Sequence, residues 1–126
     1  KDSRFFSVSP RAKRLAQAIV EVETQGKCHV GGASGESGCF QFMKGTWEHW
    51  STRFFGHVAK MTDENEEAVA LFKIQTHITD GHTDAQMALI WNQGNPGECK
   101  AGTNKHGVDY DSCSYKTKVL AFLSRN

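Results

Sequence analysis

Apolar side chains recur along most of this chain with the period of a helix. At 100° per residue, Ala12, Leu15, Ala16, Ile19 and Val22 fall on one side of the run 11–24, which contains no glycine or proline. Pro10 suits the first turn of that helix, and Ser9 before it is a good N-cap. The residues ahead of it, 1–9, are read as a flexible lead-in. Trp47, Trp50, Ser51 and Phe54 repeat the helical period over 44–55, which stops at Gly56. Asp63 with Glu66 has the spacing of a capping box ahead of Ala68, Leu71, Phe72 and Gln75, and Gly81 marks the end of this third helix. Thr83 with Gln86 is a second capping box, opening the short apolar helix DAQMALIW at 84–91. Ser112 or Ser114 caps a last helix whose stripe is Tyr115, Val119, Phe122 and Leu123. No stretch alternates well enough to predict a strand, although 27–40, KCHVGGASGESGCF, suits a short hairpin or an irregular loop. The expectation is a mainly α fold, one compact domain over 1–126 with about five helices and little or no strand.

Composition narrows the setting. The chain has 126 residues, 38% of them apolar, enough for one modest core and not for two. A formal net charge of +1, with both signs interspersed, gives no basic footprint for nucleic acid. No apolar run approaches the roughly 20 residues that cross a bilayer, so no membrane span is expected. The first ten residues lack the apolar region of a signal peptide, as does the mature part of an exported protein.

The four cysteines say more. Cys28, Cys39, Cys99 and Cys113 are even in number and show no C-x-x-C spacing. Their order suggests two local loops, 28–39 and 99–113, among three possible connectivities. Disulfides imply an envelope or extracellular home. Closing a loop of about 15 residues is worth about 3 kcal/mol in the chain-entropy model, and here it would pin a stretch rich in Gly, Asn and Asp.

Two glutamates stand one residue apart near the end of the first helix. Glu21 points away from the apolar stripe, whereas Glu23 lies at its edge. A carboxyl held against apolar walls has its pKa raised and stays protonated near neutral pH, as a general acid must. Helix geometry alone leaves open a boundary carboxylate reaching solvent. The six histidines suggest no metal site: there is no HExxH, and His77 and His82 stand five apart across a helix end, so solvated histidines are expected. The glycine-rich stretch 31–38 lacks the Lys-Ser/Thr ending of a phosphate loop and reads as backbone lining a cleft.

Four segments follow one another: VETQGK at 22–27, GASGESGCFQFMKGTW at 32–47, ALIWNQGNPG at 88–97 and SYKTKVLAFL at 114–123. In this order and at these spacings the chain resembles the SLT-type lytic transglycosylases, relatives of goose-type lysozyme in the lysozyme-like superfamily. Members of that family carry a Glu followed by Ser at a helix end, a Ser then a Gly-x-x-Gly-Leu-Met-Gln segment, an Ala-Tyr-Asn-Ala-Gly segment, and a late Tyr followed by apolar residues. Here Glu23-Thr24, Ser34 with Gly35 to Gln41, Trp91-Asn92-Gln93-Gly94, and Tyr115 with Val119 stand at those places, over roughly 15–123. The departures are local. Thr24 keeps a hydroxyl; Cys39 and Phe40 replace Leu-Met, and Trp91 and Gln93 replace Tyr and Ala, which alters the cleft lining and leaves the sugar subsites open. Glu36 and Ser37 have no counterpart role.

The resemblance implies an α+β lysozyme-like fold with a cleft, and an enzyme that cleaves peptidoglycan between N-acetylmuramic acid and N-acetylglucosamine. Glu23 would act first as acid and then as base, closing a 1,6-anhydro ring. Gln41 and Asn92 would bind the N-acetyl sugars, Ser34 would lie beside the reacting centre, and the Tyr115 hydroxyl would orient Glu23. Among the aromatics Trp91 is expected to face a sugar, with Phe40 and Trp47 in the core. No cofactor is implied. Expected partners are glycan strands and an envelope machine for secretion, conjugation or phage entry, with the protein a monomer in the periplasm or outside the cell. Two alternatives stay open: a goose-type muramidase in which Glu36, Asp109 or Asp111 positions a water, and a non-catalytic wall-binding or structural subunit. A chitin-cleaving enzyme is more remote.

Overall fold

The computed structural model describes residues 7–28 and 38–125. Their helices are α1 (Pro10–Thr24), α2 (Lys44–Phe55), α3 (Asp63–Thr79), α4 (Asp84–Gln93) and α5 (Ser112–Arg125). A small antiparallel hairpin of β1 (Ala101–Thr103) and β2 (Asp109–Asp111) precedes α5. The fold is thus mainly α, as the periodicity predicts. The hairpin lies between Cys99 and Cys113, not within the described part of 27–40.

Local chemistry sets most helix starts. Ser9 Oγ accepts the Ala12 N–H at 3.1 Å, with Pro10 opening α1. Thr83 and Gln86 exchange both bonds of a capping box, at 3.1 and 2.9 Å. Two expected caps shift by a residue or more. Thr62, not Asp63, caps α3, accepting from the Asn65 N–H at 3.2 Å. At α5 neither serine caps; Asp111 Oδ1 accepts the Ser114 N–H at 3.0 Å. The lead-in is also more anchored than expected within 7–9, because the Ser9 N–H donates to Gln75 Oε1 at 2.8 Å and Val8 packs on the core.

The described residues share one hydrophobic cluster. Helix α1 packs on α3 and α5, and α4 packs on the same two helices. Met87, Ala88, Leu89 and Ile90 are buried at successive positions, so α4 is enclosed all round over that turn. Leu15 and Ile19 of α1 are fully buried, and truncating either to alanine would cost about 2–5 kcal/mol. On α2 the four expected positions, Trp47, Trp50, Ser51 and Phe54, are the buried ones. On α3 the buried stripe is Glu66, Val69, Ala70, Lys73 and Ile74, at i, i+3, i+4, i+7 and i+8. The expected stripe there, Ala68, Leu71, Phe72 and Gln75, is only half-buried.

Two disulfides, Cys28–Cys39 and Cys99–Cys113, close the two local loops that the cysteine order suggests. The first ties the residues after α1 to the segment leading into α2. The second ties the two ends of the hairpin loop. Their presence is consistent with an oxidising compartment. No helix among the described residues is long and apolar enough to cross a membrane.

Candidate active site

Packing of α1 against α5 brings the last turn of one to the first turn of the other. Glu23 is half-buried there, while Glu21 is exposed. The Tyr115 hydroxyl donates to Glu23 Oε2 at 2.9 Å. Burial raises the Tyr115 pKa well above its ordinary value, and the neighbouring Glu23 carboxyl pushes the same way. The phenol therefore stays a proton donor through neutral pH. Thr24 is buried and turns its hydroxyl back to donate to Val20 O at 2.9 Å.

Glu23 and Tyr115 line a cavity of about 590 Å³. Asn92 and Gln93 come to it from the end of α4, and Asn104, Asp109, Tyr110 and Asp111 from the hairpin. Gln93 organises that rim. Its amide Nε2, with two N–H donors, lies within 3.1–3.3 Å of the carbonyls of Asn95, Gly97 and Glu98, which share them, and its Oε1 accepts from Ser112 Oγ at 2.7 Å. Ser112 Oγ in turn accepts the Lys100 N–H at 2.7 Å, joining the hairpin to α5.

A second cavity, of about 480 Å³, shares Asn92 and Gln93 with the first. The two therefore meet along the end of α4. Gln41 and Trp91 line the second, with Phe42, Trp50, Lys73 and His77. Gln41 holds a left-handed backbone, φ 53°, unusual for a residue with a side chain, and its Nε2 donates to Gly38 O at 2.7 Å.

Three groups outside this segment hold it. The Glu66 carboxylate, 2% exposed, accepts the Cys39 N–H at 3.1 Å and the Phe40 N–H at 2.9 Å. Trp91 Nε1 donates to Phe40 O at 3.0 Å. The Cys28–Cys39 bridge fixes the near end. Gly38 has φ 82°, and a Cβ there would collide with the Glu66 carboxylate.

Of the expected site residues, Glu23, Asn92 and Tyr115 share the first cavity, and Gln41, Trp91 and Asn92 the second. Ser34 lies outside the described residues, as do Glu36 and Ser37. Phe40 and Trp47 are buried, and Trp47 Nε1 donates to Ala59 O at 2.8 Å. One histidine differs from expectation. Both ring nitrogens of His77 are buried without a partner, and the ring packs against Trp50 at 5.4 Å and His82 at 5.5 Å. Burial, then the charge of Lys73, lowers its pKa to about 4, so it is neutral at physiological pH. Among the described residues no group of His, Cys, Asp and Glu could hold a metal ion.

The sequence reading gave Glu66 a capping-box role in place of its bonds to Cys39 and Phe40, and it missed Lys73 and the loop-organising role of Gln93. A signal for Glu66 and Lys73 exists: the α3 stripe closes at i, i+3, i+4, i+7 and i+8 only when these charged positions count as interior. Comparison with protein-family models, with curated proteins and with solved structures returns no match.

Proposed function

We propose that this protein is a peptidoglycan lytic transglycosylase, working in the periplasm or outside the cell. The observation that carries the reading is the half-buried Glu23 carboxyl held by the Tyr115 hydroxyl in a cavity that Asn92 also lines. In this reading Glu23 starts protonated and gives its proton to the glycosidic oxygen as the C1–O4 bond of the N-acetylmuramic acid residue breaks. Tyr115, acting on the other carboxylate oxygen, keeps the acid pointed at the sugar. Glu23 then takes the proton from the C6 hydroxyl of the same sugar, and a C1–O6 bond forms. No water enters the products. Asn92 and Gln41 offer amides to the N-acetyl groups along the two cavities, with Trp91 as a ring platform in the second.

A second reading keeps the substrate and changes the product. Asp109 and Asp111 line the Glu23 cavity, where one of them could activate a water, as in glycosidases that use two carboxylates. Mass spectrometry of purified peptidoglycan after digestion separates the two. Products ending in 1,6-anhydromuramic acid are expected from the wild-type chain, and Glu23→Gln should lower the rate by about 10²–10⁴-fold while leaving the fold intact. Reducing-end muramic acid would assign a hydrolase. Undiminished cleavage by Glu23→Gln would remove both mechanisms, and no cleavage by the wild type would leave a wall-binding module.

A further inference from the structure

Lys73 is the only charged side chain that lines the second cavity among the described residues. It is 6% exposed, and its ammonium sits 4.4 Å from the Trp91 ring centre and 5.7 Å from that of Trp50. It makes no hydrogen bond or ion pair to a described residue; the nearest buried acid on its own helix face, Glu66, is turned to the Cys39 and Phe40 N–H groups. An ammonium on a side chain only 6% exposed, with no acceptor among the described residues for its three donors, is costly. Ring faces offset part of that cost through their quadrupoles but accept no hydrogen bond in the manner of an oxygen. Burial lowers its pKa only to about 8, so it remains charged at pH 7. His77 beside it is neutral, which leaves Lys73 as the cation of this wall.

We propose that this end of the cleft is a carboxylate subsite, in which Lys73 Nζ donates to the acid of a carboxylated sugar whose ring lies against Trp91. The inference rests on the reading of the substrate as peptidoglycan, where N-acetylmuramic acid is the sugar that bears an acid. Two sources present the same chemistry: the lactyl carboxylate of a muramic acid freed of its peptide, and a carboxylate of an attached peptide. A neutral N-acetylglucosamine strand offers neither. The subsite therefore sets which strands are held, separately from the bond chemistry at Glu23.

Isothermal titration with the Glu23→Gln protein, which removes turnover, tests this. The ligands are the disaccharide of N-acetylglucosamine and N-acetylmuramic acid, its lactyl methyl ester, its dipeptide conjugate, and N,N′-diacetylchitobiose. The free acid should bind about tenfold or more tightly than the methyl ester, as a charge-assisted hydrogen bond would give. Adding Lys73→Met should erase that difference without weakening the ester. Dipeptide conjugate binding as tightly as the free acid would assign the peptide carboxylate; binding as weakly as the ester would assign the lactyl group. Equal affinity of acid and ester in the Lys73 protein, preference surviving in Lys73→Met, or no binding of any ligand would overturn the subsite. An acid preference in a protein that cleaves no glycan would remove the catalytic reading and leave the subsite; cleavage with no preference would do the reverse.

Discussion

Helix α3 buries two charges on one face, two turns apart, and surrounds them differently. Glu66 meets the backbone N–H groups of Cys39 and Phe40, so its charge is absorbed into the segment that carries Gln41. Lys73 meets two indole rings and the second cavity, which it lines. Burial is almost equal, 2% against 6%, so exposure does not separate them. Hydrogen bonding does. A buried charge bonded by its own backbone belongs to the scaffold, and removing it leaves donors stranded; one without such bonds raises the energy of the resting protein and is available to a ligand.

The largest test of this contrast is Glu66→Ala. It strands the buried Phe40 N–H and the half-buried Cys39 N–H, and stability should fall by about 2–4 kcal/mol, read from the denaturant midpoint. Lys73→Met should move the other way, raising stability at pH 7 by about 1–2 kcal/mol because a similar apolar volume replaces an unpaired charge. A loss comparable to that of Glu66→Ala would mean that Lys73 is scaffold too. Gly38→Ala probes the Glu66 side alone. Its Cβ would enter the carboxylate and its left-handed φ disfavours a side chain, so a loss of about 1–2 kcal/mol in the same assay is expected.

The smallest effect is a pH dependence. The Lys73 pKa is about 8 in the folded protein against 10.5 as the ordinary value, so between those values the unfolded chain binds more protons and stability rises with pH. From pH 7 to 9 the wild type should gain about 1 kcal/mol relative to Lys73→Met, measured as the difference between their thermal unfolding curves. Tyr115, whose pKa is raised, acts in the opposite direction only above its ordinary value of 10.0, outside that window. A flat difference between pH 7 and 9 would place the Lys73 ammonium in water.

Much of the scaffold was legible because local rules and packing agree. The α2 stripe, the Thr83–Gln86 box and the cysteine order each pointed to what the structure contains. On α3 they disagree. The stripe Ala68, Leu71, Phe72 and Gln75 lies about one position from the buried one, and a capping-box spacing for Glu66 left its interior place and that of Lys73 unread. Strands of three residues are too short to show alternation, and the hairpin is specified by its cross-link and by Asn104, whose side chain accepts the N–H groups of His106 and Val108. In the candidate site, the edge position of Glu23 could be read from helix geometry. Its bond to Tyr115 spans 92 residues and came only from the family resemblance, while the left-handed backbone of Gln41 left no trace in composition.

The Cys99–Cys113 bridge closes the loop that supplies one wall of the Glu23 cavity, whereas Glu23 and Tyr115 stand on helices packed into the core. Helical scaffold and cavity wall therefore answer to different conditions. Where thiols stay reduced, the helices can pack but the wall lacks its clasp. The bridge is thus the covalent clasp of this wall, beside the Lys100–Ser112–Gln93 hydrogen bonds. Protein kept reduced should retain its helical circular dichroism yet lose hydrogen-exchange protection at residues 101–111 first, and equal loss throughout would show that wall and scaffold depend on the bridge alike.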